Sequence, residues 1–268
     1  GRDISGDWPY VARLSGYIYW NWLTGARQFG SGDDYHITNR IRTRGLRLHM
    51  TQIEHFYADR LPEYALVTRW LISQLPREQS SPFPWARFLL TGTSDPESYA
   101  DVERPAGLPL ARHFENMGQI FMRGGSGEDD AYAMFTVDGT LEQHKHYDNL
   151  HFAICRSGFL ALDSGTRPEP GIHLYNYYCR TVAHNSLLIH MPGEEMPGYW
   201  GRRIGAPAPG EDAVPPPNDG GQNKVLGSVP EAFETTAHYV YAAGDASSCY
   251  HPDKSELVLR QFLFIPPD

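Results

Sequence analysis

The stretch LEQHKHYDNLHF, Leu141 to Phe152, carries three histidines, a lysine and an aspartate within a dozen residues. His144 and His146 are two apart, so on an extended strand both side chains project from the same face. Further along, Asp163 closes the apolar run GFLALD at a turn, and His184 opens the run HNSLLI. Each is a polar group at the boundary of a β-like segment. The sequence therefore predicts four groups from three adjacent strands meeting at one edge of a sheet. Two histidines and an aspartate suit zinc or a related divalent ion. One histidine among twelve is ordinarily a surface or hydrogen-bonded core residue; four placed groups lift the reading above that. Lys145, between the two histidines, is expected on the opposite face in a salt bridge. His151 is expected to be structural, at the head of its strand.

Two kinds of element must position these groups. From Trp8 to about Leu75, apolar residues recur at three- and four-residue spacing in VARLSGYIYWNWL, LRLHMTQIEHFYADRL and YALVTRWLISQL, which predicts helices. The stretch GARQFGSGDD separates the first helix from the next. A connection rich in Pro and Ser, LPREQSSPFP, lies after the last of them. From Arg112 onward, short β-like runs alternate with turns: ENMGQIFMRGG, DAYAMFTVDG, LHFAICRSGFLALDSG, AHNSLLIHM, HYVYAAGDA and ELVLRQFLFI. That rhythm predicts a sandwich of antiparallel strands. The fold expected is α+β and multidomain, with residues 1–110 helical and residues 111–268 a β-sandwich. The end, SELVLRQFLFIPPD, stops directly after a strand, so a fragment truncated at its C-terminus is expected. The segment from about Pro192 to Gln222, dense in Pro and Gly, is expected to be irregular.

Bulk properties narrow the function classes. A formal charge of −9 opposes broad binding of nucleic acid, which needs clustered Lys and Arg. Hydrophobic residues at 41% and charged residues at 21% fit an ordinary globular chain, and no run is long enough for a membrane span. Aromatics at 13%, with sixteen Tyr and six Trp, supply flat apolar platforms of the kind that sugar-handling proteins use. Cys155, Cys179 and Cys249 are too widely spaced for a metal motif and odd in number, which argues against a disulfide framework.

The segments EQHKHYDNLHFAICRSGFLALDSG and YNYYCRTVAHNSLLIH resemble the heparinase II/III-like polysaccharide lyases. The likeness rests on H-x-H followed by a strand ending D-S-G, then N-Y-Y-x-R-T-x-A-H-N, with NDGGQ at Asn218–Gln222 as a weaker echo. It covers about Gln143 to His190. It implies an N-terminal α/α toroid, here partial, followed by an antiparallel β-sandwich. It also implies a structural zinc held by His146, Asp163 and His184, with His144 facing the substrate as a catalytic residue.

The activity implied is β-elimination at a uronic acid, within a glycosaminoglycan such as heparin, heparan or chondroitin sulfate. Removing the weakly acidic C5 proton requires neutralisation of the uronate carboxylate, a base near C5 and an acid for the departing O4. In such lyases a Tyr and a His share the acid and base roles. Tyr35, after the Gly-rich break, resembles the family's catalytic Tyr, and Tyr175 stands near a further one. Arg40 could meet the substrate's acid groups. Arg180 and Asn185 belong to the pattern as hydrogen-bonding support. Nothing before Tyr35 supplies the family's carboxylate-binding residue convincingly; Asn21 is the only Asn there. Partners implied are an acidic polysaccharide and no nucleic acid; a homo-oligomer is compatible with the sequence. Location in the periplasm or outside the cell follows from the family alone. Rival readings are an alginate or other polyuronate lyase, a mononuclear iron oxygenase using His146, Asp163 and His184, and a non-catalytic zinc-braced module that binds acidic glycan.

Overall fold

The computed structural model describes residues 5–32, 41, 43, 45–75, 99, 102–142, 144–166, 174–198 and 217–266. The chain divides into two compact units, Gly1–Gln28 with Arg40–Leu108, and Phe29–Asn39 with Pro109–Asp268.

The first unit holds helices α1 (Tyr10–Asn21), α2 (Leu46–Tyr57) and α3 (Pro62–Gln74), with a two-stranded ribbon, β1 (Trp22–Leu23) and β2 (Arg27–Gln28). Helix α1 buries Ala12, Ser15, Gly16 and Tyr19, the stripe that three- and four-residue spacing produces. A Cβ at Gly16 would stand 3.1 Å from the Tyr64 ring, so the glycine lets α1 and α3 approach closely. Tyr19 and Trp70 meet edge to face at 5.2 Å. Helix α3 begins with Pro62, whose fixed φ suits a first helical position. At its other end the buried Arg47 of α2 donates to the carbonyls of Ile72 and Leu75. Carbonyls at a helix C-terminus run short of backbone donors, so one guanidinium ties α2 to the end of α3.

The second unit is built from antiparallel sheets. Strands β3 (Ala111–Phe114), β4 (Gln119–Arg123), β5 (Tyr132–Thr136), β6 (Phe152–Cys155) and β7 (Phe159–Ala161) pair in chain order. Strands β8 (Val229–Thr235), β9 (Val240–Asp245) and β10 (Leu259–Phe264) form a second sheet with β9 in the middle. One buried cluster draws on both: Ile120, Met122, Ala133 and Phe135 from the first, Val240, Ala242 and Phe264 from the second. Phe135 and Phe262 stack at 5.8 Å across it. On the opposite side of β4, Phe121 stacks on Phe29 at 6.1 Å, so β4 and β5 are covered on both faces and every residue in them is buried.

Two segments depart from expectation. The His144–Leu150 stretch belongs to no strand; it is the connection that runs into β6. AHNSLLIHM is likewise no strand: a 3-10 turn at Thr181–Ala183 leads into extended chain outside any ladder. In both, polar side chains supply the backbone's hydrogen bonds that a neighbouring strand would otherwise supply.

Candidate functional site

The connection before β6 is held at nearly every residue by side chains and backbone from elsewhere. The Tyr147 amide donates to the Cys179 carbonyl at 2.9 Å, and Thr181 Oγ1 donates to the Tyr147 carbonyl at 2.8 Å. Thr136 Oγ1 donates to the Asp148 carbonyl at 2.7 Å. Gln222 Oε1 accepts from the Asn149 amide at 3.0 Å and its Nε2 donates to the Asn149 carbonyl at 2.8 Å, closing a two-way clasp. The NDGGQ motif thus acts as a brace. Its Asp219 receives a forked bond from Arg180, at 3.0 and 3.1 Å. Arg180 also lies over the Tyr147 ring at 5.3 Å and is 1% exposed. Asn185 Nδ2 donates to the carbonyls of Phe152 and Leu162, at 2.9 and 3.0 Å.

These ties gather a buried polar cluster. His146, His151, Asp163 and His184 are all within the buried class, and His146 and His151 have no exposed surface. The His184 ring lies 5.3 Å from that of His146 and 5.5 Å from that of His151. Asp163 Oδ1 stands 2.9 Å from His184 Nδ1 and accepts from the Gly165 amide at 2.8 Å. Asp163 Oδ2 stands 3.6 Å from His151 Nε2, beyond hydrogen-bonding distance. His151, Asp163 and His184 present candidate ligand atoms all within 4.8 Å of one another.

Electrostatics within the cluster are strong. Burial alone would raise the Asp163 carboxyl, but the His184, His151 and His146 imidazoles outweigh it and hold the group well below the usual carboxylate range. Burial likewise opposes charge on His184, yet Asp163 pulls its pKa above the ordinary histidine value. His151 goes the other way, lowered chiefly by burial.

The residues fit a divalent cation. Asp163 Oδ2 and Asp148 Oδ1 are buried carboxylate oxygens without a hydrogen-bond partner among the described residues, orphaned acceptors that are costly without a cation. Asp148, buried beside the cluster, adds its field to both His151 and His184. Carboxylate and imidazole donors together are a set that suits zinc or a related divalent ion.

Of the expected metal residues, Asp163 and His184 lie within ligand distance of each other together with His151, which sequence reasoning set aside as structural, while His146 borders the group with its ring 5.3 Å from that of His184. His144 is not on a shared strand face with His146. It sits exposed in a turn at φ +62, while His146 is buried. The separation comes from the left-handed backbone at His144, which turns successive side chains away from strand alternation. Gly32 lies against it: a Cβ there would stand 2.1 Å from the His144 carbonyl oxygen. Lys145 donates to the Asp138 carbonyl at 2.8 Å; that backbone contact stands where a salt bridge was expected. Tyr35 and Arg40 lie outside the described residues, as does the side chain of Tyr175. The Tyr175 backbone belongs to a π-helical turn, Leu174–Tyr178. Beside it Tyr177, partly exposed, meets the Ser164 hydroxyl at 3.0 Å. Sequence reasoning also missed a cavity of about 370 Å³ lined among others by Glu142, Tyr147, Asn223 and Lys224.

Among solved structures the chain is similar to a heparinase III, with a TM-score of 0.57, 11% identity and 99% of this chain aligned to 33% of that one. A second heparinase III, crystallised with methylated lysines, gives 0.53 and 12% identity, over 93% of this chain and 29% of that one. The fold is heparinase-like. A heparan sulfate lyase from Pedobacter heparinus aligns at a TM-score of 0.46 and 14% identity, over 98% of this chain and 40% of that one. The chain spans about a third of the length of the two heparinase III structures. No family model and no curated protein matches it. Among the described residues, no helix is long and apolar enough to cross a membrane.

Proposed function

We propose that the chain is part of a polysaccharide lyase that cleaves uronate-containing glycans by β-elimination. On this reading residues 1–110 contribute to an α/α toroid and residues 111–268 form a β-sandwich that carries the site. The supporting observation is the pairing of an exposed histidine in a left-handed turn, His144, with a buried cluster of histidines and Asp163 that begins two residues later at His146 and could hold a metal ion. Backbone held in a sparsely populated region is a feature of functional sites when the surrounding structure enforces it, as Gly32 does here.

His146, Asp163 and His184 would hold a zinc ion whose contribution is structural, cross-linking the three loops that frame His144. His144 and Tyr35 share the proton transfers. One takes the C5 proton, the C5–H electron pair becomes the C4–C5 double bond, and the C4–O4 bond breaks as the other protonates O4. Arg40 meets the uronate carboxylate and lowers the cost of charge developing on it. Tyr175, whose backbone lies in the π-helical turn, would be a further active-site tyrosine. The exposed Lys224, on the cavity that Glu142 and Tyr147 also line, is suited to a carboxylate or sulfate of the glycan. The substrate class is heparan-type or chondroitin-type glycosaminoglycan, encountered in the periplasm or outside the cell.

The test offers the protein heparan sulfate, chondroitin sulfate and alginate in turn and follows the ultraviolet absorbance of the unsaturated uronate product. His144→Ala should abolish the signal with zinc content intact; loss of zinc would mean that His144 and His146 exchange roles. Binding of these polymers without any absorbance change would replace the lyase with a glycan-binding module. Iron in elemental analysis with oxygen-dependent turnover would replace it with an oxygenase.

A further inference from the structure

Proximity alone makes His151 a candidate ligand, since it offers a ligand atom within 4.8 Å of those of Asp163 and His184. Its protons say otherwise. The backbone amide of Asn185 donates to His151 Nδ1 at 3.0 Å, so that nitrogen carries the lone pair. A neutral imidazole has one lone-pair nitrogen and one N–H, so the proton sits on Nε2. A nitrogen bearing a proton has no pair to give a metal.

The alternatives are closed. Turning the ring over would set a C–H against the Asn185 amide and leave that part-buried donor without its acceptor. A doubly protonated ring would face that amide donor to donor. Nor can the amide swing aside, because the Asn185 side chain is fixed to the Phe152 and Leu162 carbonyls.

We propose that His151 is not a ligand of the ion but the positioning residue of Asp163, its protonated Nε2 set 3.6 Å from Oδ2 while the Gly165 amide holds Oδ1. The inference rests on the reading of the cluster as a divalent-metal site. It assigns the two imidazole ligands to His146 and His184, and gives the ligating carboxylate a neutral donor behind it, the kind of outer contact that fixes a ligand's rotation.

Nitrogen-15 NMR of the histidine side chains tests this in the metal-free protein and after loading with cadmium-113, with His151→Gln used to assign the His151 signals. In both states His151 should show a lone-pair Nδ1 and a protonated Nε2, with no coupling to cadmium, while His146 and His184 show coupling. Cadmium coupling at His151 Nε2, or a shift of its proton to Nδ1 on loading, would overturn the proposal. Gln places an amide N–H near the position of Nε2, so His151→Gln should bind one equivalent of cadmium with Kd within a few-fold of wild type. His151→Leu should keep the stoichiometry and weaken binding about 10–100-fold. Loss of the bound equivalent in a folded His151→Gln protein also counts against it. If the wild-type protein takes up no ion, the metal reading falls and the ligand assignment with it. The metal-free spectrum then still decides, by itself, whether Nε2 is the donor.

Discussion

Gly32→Ala should cost catalysis and spare the metal. At Gly32 the backbone has φ +53, and an alanine Cβ would lie 2.1 Å from the His144 carbonyl oxygen and 3.2 Å from its carbonyl carbon. A Cβ is essentially never nearer than 3.0 Å to such an atom, so the His144 peptide would have to retreat by about 1 Å. It has little freedom to do so, because His144 is itself left-handed at φ +62. Alanine in the left-handed region adds a strain of roughly 1–2 kcal/mol at residue 32. A misplacement of about 1 Å at a reacting group costs on the order of 100-fold in rate, or about 2.7 kcal/mol of barrier. The metal residues should not move with it, since the chain from Tyr147 onward is fastened to Cys179, Thr181 and Gln222. The assay is the initial rate of ultraviolet absorbance on the best glycan substrate, run beside elemental zinc analysis and a urea melt. The expected result is a kcat near one hundredth of wild type, zinc retained, and stability lower by about 1–2 kcal/mol. A variant with wild-type kcat would refute the claim that the placement of His144 by Gly32 matters to the reaction.

Other parts of the second unit lead to three further outcomes. Asp219→Ala strands the Arg180 guanidinium, 1% exposed, without its carboxylate; breaking a buried pair on one side costs about 3–5 kcal/mol, readable as a lowered urea midpoint. Burial pushes the Cys249 thiol up from 9.0 to about 11. The unfolded chain therefore ionises first, and the contribution of the buried Cys249 is fully present below pH 9 and fades as pH rises to 11; at about 1.4 kcal/mol per unit, with the folded thiol half ionised at the upper end, wild type should lose about 2 kcal/mol more than Cys249→Ala across that range. Parallel losses in the two proteins, measured by urea melts at each pH, would contradict this. Lys224→Ala should raise KM about fivefold on a sulfated or uronate glycan at low salt with kcat retained, the difference closing as salt rises; an unchanged KM would remove Lys224 from substrate binding.

The helices and most strands were legible because burial leaves a period in the sequence. Helix α1 keeps Ala12, Ser15, Gly16 and Tyr19 on one stripe, and hydrophobic spacing reports that directly. Strand β8 was not legible: VPEAFET is exposed along nearly its whole length, and a proline with two glutamates gives no alternation to read. It forms at a sheet edge, where its ladder is made to β9 on one side only, and such strands carry charges and proline as a matter of course.

The site was legible in composition and misread in shape, for a reason that runs through the whole second unit. Expecting H-x-H on a strand assumes that the backbone's partners are another backbone. Here Thr136, Thr181, Ser186 and Gln222 supply those partners with hydroxyls and an amide. The chain is then free to leave the pleat, turn left-handed at His144 and send His146 inward. The same freedom decides His151. Whether it ligates or positions depends on one amide proton from Asn185, thirty-four residues away. Spacing rules describe side chains on regular backbone, and they fail where polar side chains have replaced the ladder. That replacement is also what lets three loops close around one buried charge, so the irregularity that hid the site is the condition for its being there.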